Sequence, residues 1–71
     1  MKSYDRHEFA KRLKELRQAK SLTQLQAARQ ADIPFSFIKN CESGNANRGF
    51  GNLIKLAKFY GVTTDFLLLG E

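Results

Sequence analysis

Long apolar runs are missing from this chain. The longest, Phe66 to Leu69, is four residues, whereas a helix needs about 20 to cross a bilayer. No leader of charged then apolar residues is visible, so a cytoplasmic protein is expected. Cysteine is almost missing too. Cys41 stands alone, which excludes an internal disulfide and fits a reducing compartment. His7 is the single histidine, with no Cys or second His beside it, so a metal site is not expected. No nucleophile is paired with a base, and the chain reads as a non-enzyme without a cofactor. Repeats, low-complexity tracts and linkers are also lacking. The 71 residues therefore form one domain, 1–71, with a small core.

Positive charge is in surplus. Twelve Lys and Arg against seven Asp and Glu give a net charge of +5, which favours a polyanionic partner. Seven of the twelve are Lys2, Arg6, Lys11, Arg12, Lys14, Arg17 and Lys20, all within the first twenty residues. A basic amphipathic helix can also lie on an anionic membrane. Here its apolar face is needed for the core, so no membrane partner is expected.

The stretch from Leu22 to Gly44 reads as a short helix, a tight turn and a second short helix. Thr23 followed by Gln26 is a capping-box pattern, in which each side chain satisfies the other residue's backbone N–H. Ala27, Ala28 and Ala31 share an inner face and let another helix approach. Asp32 ends the first helix, Ile33 turns inward, and Pro34 suits a first helical turn. In the second helix Ile38 and Cys41 share a buried face. Ser36, Asn40 and Ser43 point the other way at 100° per residue, with Lys39 beside them. Gly44 suits a left-handed cap. Such a polar front can exchange hydrogen bonds with base edges in a major groove. Any small helical protein also has a solvated face of this kind.

Around this unit, Asp5 and Glu8 suggest a cap for a first helix running to about Ala19, with Tyr4 and Phe9 as its hydrophobic staple. Phe9, Leu13 and Leu16 form its core stripe, and His7 reads as exposed. Asn45 to Gly51 is rich in Asn and Gly and reads as a loop, without the spacing or lysine of a nucleotide-binding loop. A fourth helix is expected from about Asn52 to Tyr60, with Leu53, Leu56, Ala57 and Tyr60 inward and Gly61 as its stop. Thr63 or Thr64 caps a fifth helix that ends before Gly70. Phe66 to Leu69 cannot all face one small core, so at least one should be exposed. Cys41, on the buried stripe, is expected to be inert.

The chain resembles the Cro/C1-type (XRE) helix-turn-helix family of lambdoid phage repressors and Cro proteins over about residues 6 to 70. The resemblance rests on Leu22-Thr23-Gln24, Ala28, Ile33, Ile38 and Glu42-Ser43-Gly44. Downstream it rests on Leu53-Ile54-Lys55-Leu56-Ala57, Gly61-Val62 and Asp65-Phe66-Leu67-Leu68. It implies an all-α, compact five-helix, lambda-repressor-like domain whose second and third helices form the helix-turn-helix. Arg17 would pair with Glu42, a phosphate contact being the alternative. Phe50 falls on an apolar anchor and is expected in the core. Phe66 and Leu69 would supply a two-fold dimer contact, or merely cover the base of helix one. Three positions depart from the family: Asp32 where a turn glycine is usual, Phe35 where a polar residue is frequent, and Cys41 where a large apolar residue is usual. Asp32 visits positive φ less readily than glycine, so a locally different turn is expected.

The resulting expectation is a sequence-specific regulator of transcription, a repressor, that binds double-stranded operator DNA as a homodimer. Phe35, Ser36, Lys39 and Asn40 would read bases. Lys20, Thr23, Gln24, Ser43, Asn45, Asn47 and Arg48 would hold the phosphate backbone. The alternative is a protein-interaction module such as an antitoxin, with Phe35, Phe37 and the apolar tail as contacts. A protein partner would then be a toxin, an antirepressor or polymerase.

Overall fold

The computed structural model describes residues 3–45 and 49–71. Asn47 and Arg48, two of the expected phosphate contacts, lie outside them. The described residues form five α-helices: α1 Arg6–Ala19, α2 Gln24–Ala31, α3 Phe35–Glu42, α4 Phe50–Tyr60 and α5 Thr64–Leu69.

Local chemistry sets the helix starts. Asp5 accepts from the backbone N–H groups of His7 and Glu8 to open α1. The Thr23–Gln26 capping box opens α2 with both bonds formed, at 3.1 and 2.9 Å. Thr63 Oγ1 accepts from Phe66 N–H to open α5. Pro34 is the residue before α3 rather than its first turn, with ψ 136° and no side-chain cap. α4 starts at Phe50, two residues before the expected Asn52.

One device ends four of the five helices. At Ser21, Asp32, Gly44 and Gly61 the backbone enters the left-handed region. The residue after each returns its N–H to a carbonyl five positions back: Leu22 to Arg17, Ile33 to Ala28, Asn45 to Asn40 and Val62 to Ala57. This is the Schellman arrangement, which satisfies carbonyls that a helix end leaves bare. It also turns the next side chain inward, and Leu22, Ile33 and Val62 all pack on the core. Asp32, at φ 58° and ψ 52°, takes the same left-handed conformation that a glycine would, so the expected local difference does not arise.

The core is one cluster drawn from every helix. Phe9 and Leu13 of α1 meet Ala27 and Ala28 of α2, Ile38 and Cys41 of α3, Leu53, Leu56, Ala57 and Tyr60 of α4, and Leu67 of α5. The alanines keep the α2 side thin. Tyr4 and Phe9 pack together as the staple of α1, with ring centroids 5.9 Å apart and the rings tilted at 57°. Arg12 Nε donates to the Leu67 carbonyl at 2.9 Å and ties α1 to α5. Leu67 is fully buried and Phe66, Leu68 and Leu69 are partly covered, so none of the four is exposed, against the expectation that at least one would be.

Candidate nucleic-acid interface

The third helix has two unlike faces. Ile38, Cys41 and Glu42 are buried, and Phe37 is largely so, packed against the core. Phe35, Ser36, Lys39, Asn40 and Ser43 are exposed. The division follows the sequence: the exposed set, apart from Phe35, lies about 100° to 200° around the helix from Ile38. Phe37 is not the exposed contact expected of it. It lies one turn before Cys41, so the two share a side. Gly49 makes room for that ring, because a Cβ there would stand 2.8 Å from Phe37 Cε1.

Along the exposed face, Lys39 Nζ lies 5.3 Å from the centre of the Phe35 ring, a cation–π pair one turn apart. Phe35 itself is 41% exposed. Ser43 Oγ donates to the Asn40 carbonyl at 2.9 Å, and Asn45 Nδ2 donates to Ser43 Oγ at 3.3 Å. The side-chain amide of Asn40 is exposed and has no hydrogen bond among the described residues.

Behind the face, a polar knot fixes α3 to α1 and α2. Glu42 is 6% exposed, the one buried charged residue among those described. Arg17 Nε donates to Glu42 Oε2 at 2.8 Å and Nη2 donates to Oε1 at 2.8 Å. The remaining terminal nitrogen, Nη1, donates to the Leu22 carbonyl at 2.7 Å. Gln24 Nε2 adds a bond to Glu42 Oε1 at 3.2 Å. These bonds to Glu42 hold the Arg17 guanidinium above its ordinary pKa, against burial. Tyr60 stands nearby, and its buried hydroxyl has no hydrogen-bond partner among the described residues. Burial pushes that phenol up to about 12, with Glu42 adding to the effect and Arg17 opposing it. Burial likewise pushes the Cys41 thiol up to about 12, with Glu42 adding to it, so it stays protonated near neutral pH.

The residues expected to hold phosphate are thus not one cluster. Gln24 joins the Arg17–Glu42 knot, and Ser43 and Asn45 bond to each other. Thr23 uses its hydroxyl in the helix cap. Lys20 lies apart, with Nζ 5.3 Å over the Phe59 ring. The Gln24 bond and the Leu22 carbonyl contact were not legible beforehand, since each joins residues of different elements through a side chain.

Phe50 corrects a further expectation. It is 82% exposed rather than buried. It opens α4 about 70° round from the Leu53–Leu56–Ala57–Tyr60 stripe, next to Ile54, also exposed. Among the described residues no group of His, Cys, Asp and Glu could hold a metal ion. No described helix is long and apolar enough to cross a membrane.

The HTH_3 helix-turn-helix pattern matches residues 13–67. The HTH-type transcriptional activator BcrR of Enterococcus faecalis is 41% identical over 64 residues, which are 90% of this chain and 31% of that protein. The HTH-type transcriptional regulator ImmR of Bacillus subtilis is 40% identical over 60 residues, 84% of this chain and 47% of that protein. The chain therefore spans less than half the length of either relative. Among solved structures, the restriction-modification controller protein C.AhdI from Aeromonas hydrophila aligns with a TM-score of 0.76 and 33% identity, covering 90% of this chain and 93% of that one. The hypothetical transcription factor NHTF from Neisseria aligns with a TM-score of 0.80 and 28% identity, covering 92% and 75%.

Proposed function

The chain belongs to the HTH_3 (XRE-type) helix-turn-helix family, and on that premise we propose that it regulates transcription by binding a palindromic operator as a homodimer. α3 enters the major groove with Ser36, Lys39, Asn40 and Phe35 toward the bases. Asn40 has the donor and acceptor that a bidentate contact to adenine needs, and the Phe35 ring suits a thymine methyl. Gln24, Thr23, Ser43, Asn45 and Lys20 set the register on phosphates, helped by the start of α2. Phe66 and Leu69 of α5 meet their copies across the two-fold axis, placing two α3 helices about 34 Å apart.

The observation that carries this reading is the α3 face itself. An exposed, mostly polar front is backed by buried Ile38 and Cys41 and clamped at its end by Arg17. A front held this rigidly binds without the ordering cost of a mobile segment. Where the operator overlaps a promoter, occupancy represses. One relative is named an activator, so the position of the site relative to the promoter sets the sign. Selection of bound duplexes from a random DNA pool tests the proposal. The expected result is an enriched motif with two inverted half-sites. A pool that stays random after repeated rounds at low salt would overturn it.

A further inference from the structure

We propose that the cleft between α1 and the end of α3 is an additional seat for the DNA backbone, built on Lys11 and Lys14; this rests on the DNA-binding reading above. The cleft is open and about 260 Å³ in volume. Lys11, Lys14 and Gln18 line one wall, and Ser43 and Gly44 line the other. The three α1 residues fall at spacings of three and four, so they form one stripe on the helix. The stripe advances about 10 Å at 1.5 Å per residue, the length over which one DNA strand presents about three phosphates.

Position ties this cleft to the reading helix. Arg17, next to Gln18, grips Glu42, next to Ser43. At the other end His7 lies against Gly44, where a Cβ would stand 3.2 Å from Nδ1. A strand that meets Ser43 as it leaves the groove therefore passes along the lysine stripe. Charge fits as well. Both lysines are exposed, and among the described residues neither is in an ion pair. Glu42 also borders the cleft, but Arg17 and Gln24 already bind its carboxylate. Glu15 is the one other acid lining it. Two free ammonium groups against one free carboxylate leave the cleft attractive to phosphate and adjustable by substitution in either direction.

The experiment measures binding to operator and to scrambled duplex across a salt series. Lys11→Gln with Lys14→Gln should lower affinity for both duplexes by the same factor. It should also flatten the log–log salt slope by about 0.9 per lysine. Lys11→Arg with Lys14→Arg should keep the slope, and Glu15→Gln should strengthen binding to both duplexes. Lys58→Gln, an exposed charge on α4, should leave the slope alone. A steep slope in the parent protein that the double glutamine variant retains would overturn the seat while leaving DNA binding standing. An equal loss from Lys58→Gln would reduce the effect to bulk charge and overturn it too. A parent protein with no salt-dependent DNA binding would sink the underlying reading, and this seat with it.

Discussion

Arg17 holds Glu42 in a fork, with Nε and Nη2 each 2.8 Å from a different carboxylate oxygen. The pair joins the fourth turn of α1 to the last residue of α3. It is nearly dry, with the Arg17 side chain 13% and the Glu42 side chain 2% exposed. Arg17→Ala should therefore strand a buried carboxylate and cost about 3–5 kcal/mol. Lys14→Ala, on the exposed face, should stay within about 0.5 kcal/mol. Denaturant titration of both variants measures this. A double-mutant cycle with Glu42→Gln should give clear coupling, and its absence would return Arg17 to the role of a phosphate contact.

Stability should fall in alkali. Well below pH 9 both Cys41 and Tyr60 are neutral, folded or unfolded. Their folded pKa values rise from 9.0 and 10.0 to about 12, so above pH 9 the unfolded chain releases protons that the folded chain keeps. Stability is thus full well below pH 9 and is lost progressively as pH rises toward 12. Melting temperature against pH is the measurement, and Cys41→Ala with Tyr60→Phe should flatten the curve. Tyr60→Phe should also raise stability near neutrality, since it removes a buried hydroxyl that has no partner.

Ser21 ends α1 at φ 56° without the freedom of glycine. Ser21→Gly should relieve about 1 kcal/mol of left-handed strain. For a domain of this size that is about 4–8 °C in Tm. Asp32→Gly should gain less, because a short polar side chain tolerates this conformation better. A lower Tm for Ser21→Gly would show that the serine side chain contributes more than its backbone costs.

Base readout and backbone contacts should separate under mutation. Asn40→Ala should relax preference at one operator position, at about 1–3 kcal/mol, and leave the others alone. Affinities against a panel of single-base operator variants give the profile. A profile unchanged by Asn40→Ala would shift readout to Phe35 and Ser36.

Leu69→Glu should weaken self-association and cooperative operator binding while helical content stays constant. Sedimentation and circular dichroism on the same sample decide this. Unchanged sedimentation would remove α5 from the proposed two-fold contact.

Much of the fold was legible because local signals agreed with one another. The Thr23–Gln26 box, the Ile38–Cys41 face, the α4 stripe and the Gly61 stop each follow from spacing, and each is present. Phe50 was illegible for a physical reason. Burial needs an opposing element as well as a suitable face, and at that end of α4 Phe50 borders an open groove that it shares with Tyr4, itself 47% exposed. Phe37 was legible in principle, since its four-residue step to Cys41 marks the inner side. In the candidate site, exposure of the α3 front followed from periodicity. The link from Gln24 to Glu42 did not, because periodicity describes one helix and that bond joins two.

The bond from Arg12 to the Leu67 carbonyl spans 55 positions of sequence. It joins the first helix of the chain to the last, a helix made early to a helix made late. During synthesis the chain emerges from its N-terminal end. A nascent chain that has completed α3 still lacks Leu67 to fill the centre of the core. The core beneath the surface proposed to meet DNA is therefore filled only when α5, the last helix of the five, has docked.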